Sequence, residues 1–121
     1  MPTVLVVDDE PLMRSMMTQV LQQEGFSVLT AACGSEGLKL FRAHRHEIDL
    51  LITDIVMPEM DGPSLAANVR AECPDMPVLL MSGYCDSRQL QSDFEFLPKP
   101  FSIADLLNRV RCLMQHIPVA A

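Results

Sequence analysis

The stretch Leu-Leu-Ile-Thr-Asp-Ile-Val-Met-Pro-Glu-Met-Asp-Gly, residues 50–62, carries the fold in miniature. Its first four residues form an apolar run rich in branched side chains. Such a run suits a strand buried on both faces, which needs no polar alternation. A carboxylate, Asp54, follows at the carboxyl end of the run. Gly62-Pro63 then reads as the start of a helix, where proline is tolerated in the first turn. That helix carries Leu65, Ala66 and Val69 inward before Pro74 ends it.

The same order of run, polar residue and helix extends outward in both directions. Apolar runs recur at residues 4–7, 27–31 and 78–81, with a shorter one at 95–97. Helical periodicity fills the gaps between them. Met13, Met16, Met17, Val20 and Leu21 share one stripe, closed by Gly25. A second helix starts after Gly34-Ser35, with Leu38 and Phe41 on its inner face. The last has Ser102 as N-cap and Asp105 three residues on, a capping-box arrangement, with Ile103, Leu106, Leu107, Val110 and Met114 facing inward. Strands alternating with helices predict a parallel sheet with helices on both faces, because the crossovers are right-handed. The chain reads as one α/β domain, residues 1–121, with its core at about 3–116.

Composition narrows the function classes. A net charge of −7 disfavours contact with a phosphate backbone, so no direct nucleic-acid partner is expected. No apolar run approaches the ~20 residues of a membrane span, and no secretory leader pattern is present. No membrane insertion and a cytoplasmic location are therefore expected. Cys33, Cys73, Cys85 and Cys112 contain no C-x-x-C pair and read as small buried or half-buried apolar residues. His44 and His46, near the end of the second helix, point to different sides and read as surface residues.

Chemistry-bearing residues gather at one kind of place. Asp8 and Asp9 follow the first strand, Asp54 the third, Ser82 the fourth and Lys99 the fifth. In open α/β sheets that edge binds ligands. Three neighbouring carboxylates repel unless a cation neutralises them. Oxygen-only ligands suit Mg²⁺, with Mn²⁺ as the alternative. Such a metal and a fixed lysine together offset the charge of a transferring phosphoryl group. An aspartate can then act as nucleophile and hold the group as an acyl phosphate, while Ser82 donates to a phosphoryl oxygen. Taken singly, Asp8-Asp9 would be a solvated turn or helix cap, Lys99-Pro100 a loop and Ser82-Gly83 an ordinary turn. Five such positions, each following a buried strand, outweigh those readings.

Four segments carry a resemblance: V-L-V-V-D-D-E at 4–10, the stretch 50–62, L-L-M-S-G-Y at 79–84 and F-L-P-K-P-F at 96–101. Together they resemble the receiver (response-regulator) domain family of two-component signalling, over nearly the whole chain. The resemblance implies a flavodoxin-like, doubly wound, five-stranded parallel sheet of strand order 2-1-3-4-5. It also implies Asp54 as phosphoacceptor, Asp9 as direct metal ligand, Asp8 as an acid acting through water, and the Val56 backbone carbonyl as a further metal ligand. Ser82 resembles the switch hydroxyl and Lys99 the phosphate-binding lysine. Pro100 would follow a cis peptide, and Pro58 and Gly62 would shape the loop after the acceptor. Phe96 stands at the aromatic switch position, whose ring follows the hydroxyl in a two-state equilibrium.

Departures from the family pattern carry expectations of their own. The segment between Ser82 and Lys99 is short, which leaves residues 87–92, anchored by Leu90, for a shortened fourth helix. Val56 is apolar where many receivers are polar, and bulky Tyr84 is placed to roof the site as part of the switch. The wording S-G-Y, D-G-P-S-L and F-L-P-K-P-F-S is similar to receivers of hybrid sensor histidine kinases, so the chain is either a part of such a kinase or a single-domain regulator. Expected partners are a sensor histidine kinase, a histidine phosphotransfer protein, or both. The chain would catalyse only its own phosphorylation and dephosphorylation. Two alternatives are a metal-dependent phosphohydrolase using Asp54 as nucleophile and a pseudo-receiver that binds partners without phosphorylation. The first lacks the usual second acid two residues on, where Val56 stands; the complete acidic set argues against the other.

Overall fold

In the computed structural model of the chain, residues 2–82 and 94–114 are described, Ser82 in its backbone only. Their order is β1 (Thr3–Val7), α1 (Pro11–Gln23), β2 (Ser27–Ala31), α2 (Gly34–Ala43), β3 (Ile48–Asp54), α3 (Gly62–Glu72), β4 (Val78–Ser82), β5 (Glu95–Pro98) and α4 (Ile103–Met114). The strands pair in parallel in the order β2-β1-β3-β4-β5, as expected. The expected helix at 87–92, with Leu90, and the positions of Gly83, Tyr84 and Cys85 lie outside the described residues.

Each apolar run serves two cores, because successive strand residues point to opposite faces. Leu5, Val7, Leu51, Val78 and Leu80 pack with Phe41, Leu65 and Val69 of α2 and α3. Val4, Val6, Leu50, Ile52, Leu79 and Met81 pack with Met17, Leu21, Leu106 and Val110 of α1 and α4. That two-sided burial is why the runs lack polar alternation.

Helix ends follow local chemistry. Pro11 opens α1, and Gly25 after its end takes φ 95°, a left-handed conformation that glycine adopts at little cost. Asp61 caps α3 by accepting the Ser64 N–H at 2.8 Å. The capping box of α4 forms reciprocally: Asp105 N–H donates to Ser102 Oγ at 3.0 Å, and Ser102 N–H to Asp105 Oδ2 at 3.3 Å.

Three side-chain expectations need correction. Ile103, the first residue of α4, is 54% exposed rather than inward, while Leu106, Leu107 and Val110 further along the helix are buried. Cys112 is exposed, whereas Cys33 and Cys73 are half-buried as expected. The His-x-His pair lies beyond α2, which stops at Ala43. There His44, half-buried, meets Glu47 Oε2 at 2.6 Å, and His46 is exposed.

Candidate functional site

The carboxyl edge of the sheet gathers residues from three strands. Asp8, one residue past β1, is fully buried. Its Oδ1 accepts the Glu10 N–H at 2.9 Å, and its backbone carbonyl accepts Arg14 Nη1 at 2.7 Å. Asp9 beside it is exposed. Asp54 ends β3, half-buried; its Oδ1 accepts the Ile55 N–H at 2.9 Å, and its Oδ2 lies 3.3 Å from Lys99 Nζ. Lys99 follows β5 with a cis peptide to Pro100, as the sequence leads one to expect, and its ammonium is also 3.9 Å from Asp8 Oδ2.

Electrostatics favour a cation here. Asp8, Asp9 and Asp54 each offer a carboxylate oxygen within 4.8 Å of the others. Burial pushes the Asp8 carboxyl above its ordinary range, and the charges of Asp54 and Asp9 add to that; the Glu10 N–H and Lys99 pull the other way. Asp8 Oδ2 is a buried oxygen without a hydrogen-bond partner among the described residues, an orphan that an ion or its bound water would satisfy. Three acids gathered beside the Lys99 ammonium concentrate negative charge that a divalent ion would offset. An all-oxygen donor set fits Mg²⁺.

The loop after Asp54 is held close to the acceptor. Gly62 N–H donates to the Ile55 carbonyl at 2.8 Å, and Met60 N–H to the Pro58 carbonyl at 2.8 Å. A Cβ on Gly62 would overlap the backbone carbonyl of Asp54 and touch Ile55 Cα at 3.0 Å. Backbone, unlike a flexible side chain, cannot step aside cheaply. Gly62→Ala is therefore expected to destabilise by about 1–3 kcal/mol. A chemical denaturation midpoint equal to wild type would show that the loop relaxes freely.

The remaining sequence candidates take different places. Val56 turns its side chain outward, 70% exposed, and Pro58 is exposed in the loop. Phe96 of β5 is half-buried against the core shared by α2 and α3. Ser82 ends β4 opposite Pro98, and its side chain lies outside the described residues, as does Tyr84. A cleft of about 610 Å³ opens onto Asp54 and Lys99, walled by Glu10, Met13, Met16, Val56 and Phe101.

Two site residues escaped the sequence reading. Arg14 braces the Asp8 carbonyl from one turn inside α1. Thr53, fully buried, donates its hydroxyl to the Asp54 carbonyl at 3.0 Å. In sequence, the first sits beside a helical stripe and the second inside a strand run, and neither position signals its bond.

Comparison with known proteins agrees with this geometry. Residues 4–111 match the family model described as response regulator receiver domain. The sensor kinase CckA of Brucella abortus (strain 2308) is 40% identical over 118 residues, which cover 93% of this chain and 12% of that kinase. The chain spans about half or less of the length of the curated relatives it matches. Among solved structures, the receiver domain of the hybrid histidine kinase CckA superposes with a TM-score of 0.81 at 35% identity, covering 93% of this chain and 99% of that one. Response regulator TrrA of Thermotoga maritima, in complex with Mg²⁺ and BeF, gives a TM-score of 0.84 at 35% identity, with the same coverages of 93% and 99%.

Proposed function

Because this chain belongs to the response regulator receiver domain family of two-component signalling, we propose that Asp54 accepts a phosphoryl group from a phosphohistidine in a Mg²⁺-dependent reaction. The observation that carries this is the cluster of Asp8, Asp9 and Asp54 with the Lys99 ammonium reaching into it. Asp54, Asp9 and the Val56 backbone carbonyl would hold the ion directly, and Asp8 through water; Mn²⁺ would serve in its place. Bound there, Mg²⁺ supplies positive charge that draws electron density from the phosphoryl oxygens. TrrA, which carries Mg²⁺ and BeF, supports the same chemistry here.

The chain's own groups do the rest. An Asp54 oxygen forms a bond to phosphorus as the P–N bond of the donor breaks. The electron pair of that bond stays on the imidazole nitrogen, which takes a proton from solvent. Lys99, 3.3 Å from Asp54 Oδ2, offsets charge on the transferring group. The Ser82 hydroxyl would donate to a phosphoryl oxygen, and Phe96, opposite Leu80 in the sheet, would follow it as the ring of a two-state switch. On this reading the chain catalyses only its own phosphorylation and dephosphorylation.

A sensor histidine kinase or a histidine phosphotransfer protein is the fitting donor, and the match to a sensor kinase supports that context. Among the described residues no helix is long and apolar enough to cross a membrane, and a net charge of −7 repels nucleic acid. The cytoplasm, where such donors present their phosphohistidines, is the fitting location. Among the described residues three large apolar side chains stand exposed: Leu12 at 85% near the start of α1, Val56 at 70% after β3 and Ile103 at 54% at the start of α4. A donor protein resting on the carboxyl edge of the sheet would cover them. Leu12→Asp should slow transfer from a cognate protein donor by about tenfold, as for loss of a contact worth about 1.4 kcal/mol. Labelling by acetyl phosphate should stay at the wild-type rate. Unchanged transfer from the protein donor would take Leu12 out of the contact.

Acetyl phosphate with Mg²⁺, followed by intact mass, tests the reaction itself. One stable phosphoryl group per chain is expected, and none when EDTA replaces Mg²⁺ during the labelling. Many turnovers without a stable adduct would favour a phosphohydrolase, and no label at all a pseudo-receiver.

A further inference from the structure

Thr53 is one of two buried polar residues among the described residues, and the acceptor chemistry leaves it unused. It sits at the last paired position between β1 and β3, opposite Val7. On the β1 side, Asp54 is thus past the end of the pairing. The Thr53 hydroxyl reaches the Asp54 carbonyl instead, at 3.0 Å, and Met57 Sδ lies 3.9 Å from the same hydroxyl. Gly62 closes on the same carbonyl so tightly that a Cβ would overlap it.

The opposite end of that peptide unit is gripped as well. Ile55 N–H donates both to Met81 carbonyl oxygen, at 3.1 Å, and to Asp54 Oδ1, at 2.9 Å. One peptide plane therefore has its C=O fixed by a hydroxyl and its N–H fixed by the acceptor's own carboxylate. With Oδ1 held by Ile55, Oδ2 is the oxygen turned toward Lys99. We propose that the Thr53 hydroxyl is a positioning group for the acceptor: it fixes the 54–55 peptide unit, which sets which Asp54 oxygen faces the lysine. The proposal rests on Asp54 as phosphoacceptor for its effect on rate, though not for its effect on the peptide itself.

A threonine kept only for its shape would behave differently. Valine has the same outline without the hydroxyl, so it would serve equally well in a purely steric role. In ¹⁵N-labelled full chain, Thr53→Val should leave the circular dichroism spectrum unchanged and make Ile55 amide exchange several-fold faster. Acetyl phosphate labelling with Mg²⁺ should slow by about tenfold, the scale of a modest misplacement of a reacting group. Thr53→Ser, which restores the hydroxyl, should bring both quantities back to within about threefold of wild type. Should the valine variant fail to fold, Thr53→Ala against Thr53→Ser makes the same comparison. Wild-type exchange and rate in the hydroxyl-free variant, or equal loss in the serine variant, would overturn the proposal. A wild-type chain that takes no label would instead refute the acceptor assignment, and Ile55 exchange would still decide the role of Thr53.

Discussion

Asp54→Asn is expected to take no phosphoryl group under conditions in which the wild-type chain takes one. The amide keeps the volume of the side chain, and its oxygen can still accept the Ile55 N–H, so the fold survives. What it lacks is a nucleophilic carboxylate and one of the charges that hold a divalent ion. Both losses fall on the same step, so labelling should drop on the order of a thousandfold or more, to the detection limit of intact mass or a phosphate-affinity gel. Equal labelling of the two proteins would move the acceptor to another residue.

Asp8→Asn is expected to stabilise the metal-free protein and to shrink the stabilisation that Mg²⁺ confers. Among the described residues the buried Oδ2 of Asp8 has no hydrogen-bond partner, and its carboxylate lies close to two further acids. An amide there removes a buried charge that burial and the two neighbouring acids disfavour, and its N–H can donate to one of those acids, a relief of about 1–3 kcal/mol. The pH dependence has a definite sign. Because burial raises the Asp8 pKa in the folded chain, the folded state binds its proton more tightly than the unfolded state does. The stability due to this group is full below its ordinary value of 3.8 and is lost as pH rises through the raised folded value. Asp8→Asn should remove that slope. Saturating Mg²⁺ should reverse it in the wild type, since metal and proton compete for the acids; at a hundred times its dissociation constant an ion adds about 2.7 kcal/mol. Thermal melts with EDTA and with Mg²⁺ across neutral and mildly acidic pH measure all of this. A metal-free asparagine variant that melts below wild type, or a wild type indifferent to Mg²⁺, would contradict it.

Much of this was legible in the sequence, for identifiable reasons. A strand buried on both faces must be apolar at every position, so β1, β3 and β4 announced themselves as unbroken runs. The acids and Lys99 stood out because each broke such a run at its carboxyl end. The capping box of α4 was readable because Ser102 and Asp105 satisfy each other at fixed spacing. Ile103 misled because it lies on the same helical stripe as Leu106 and Val110, and periodicity alone cannot tell which turn of a helix stays exposed.

The finer parts of the site left no trace in the pattern. Thr53 is a good strand former, so its hydroxyl bond to the next carbonyl hides behind an ordinary preference. Arg14 sits beside an apolar stripe and reads as a solvated helix residue, yet it holds the Asp8 carbonyl. The close approach of Gly62 to Asp54 is a fact of backbone geometry; the Asp61-Gly62 turn suggested a glycine was needed there without saying what it must avoid.

Borohydride reduction of the acetyl phosphate-treated chain, followed by peptide mapping, tests the acceptor most directly. Hydride converts an acyl phosphate of aspartate to homoserine, which marks the modified carboxyl permanently. Homoserine at position 54, formed only when Mg²⁺ is present, is the predicted result. Homoserine at Asp8, Asp9 or any other acid, with residue 54 still aspartate, would contradict it.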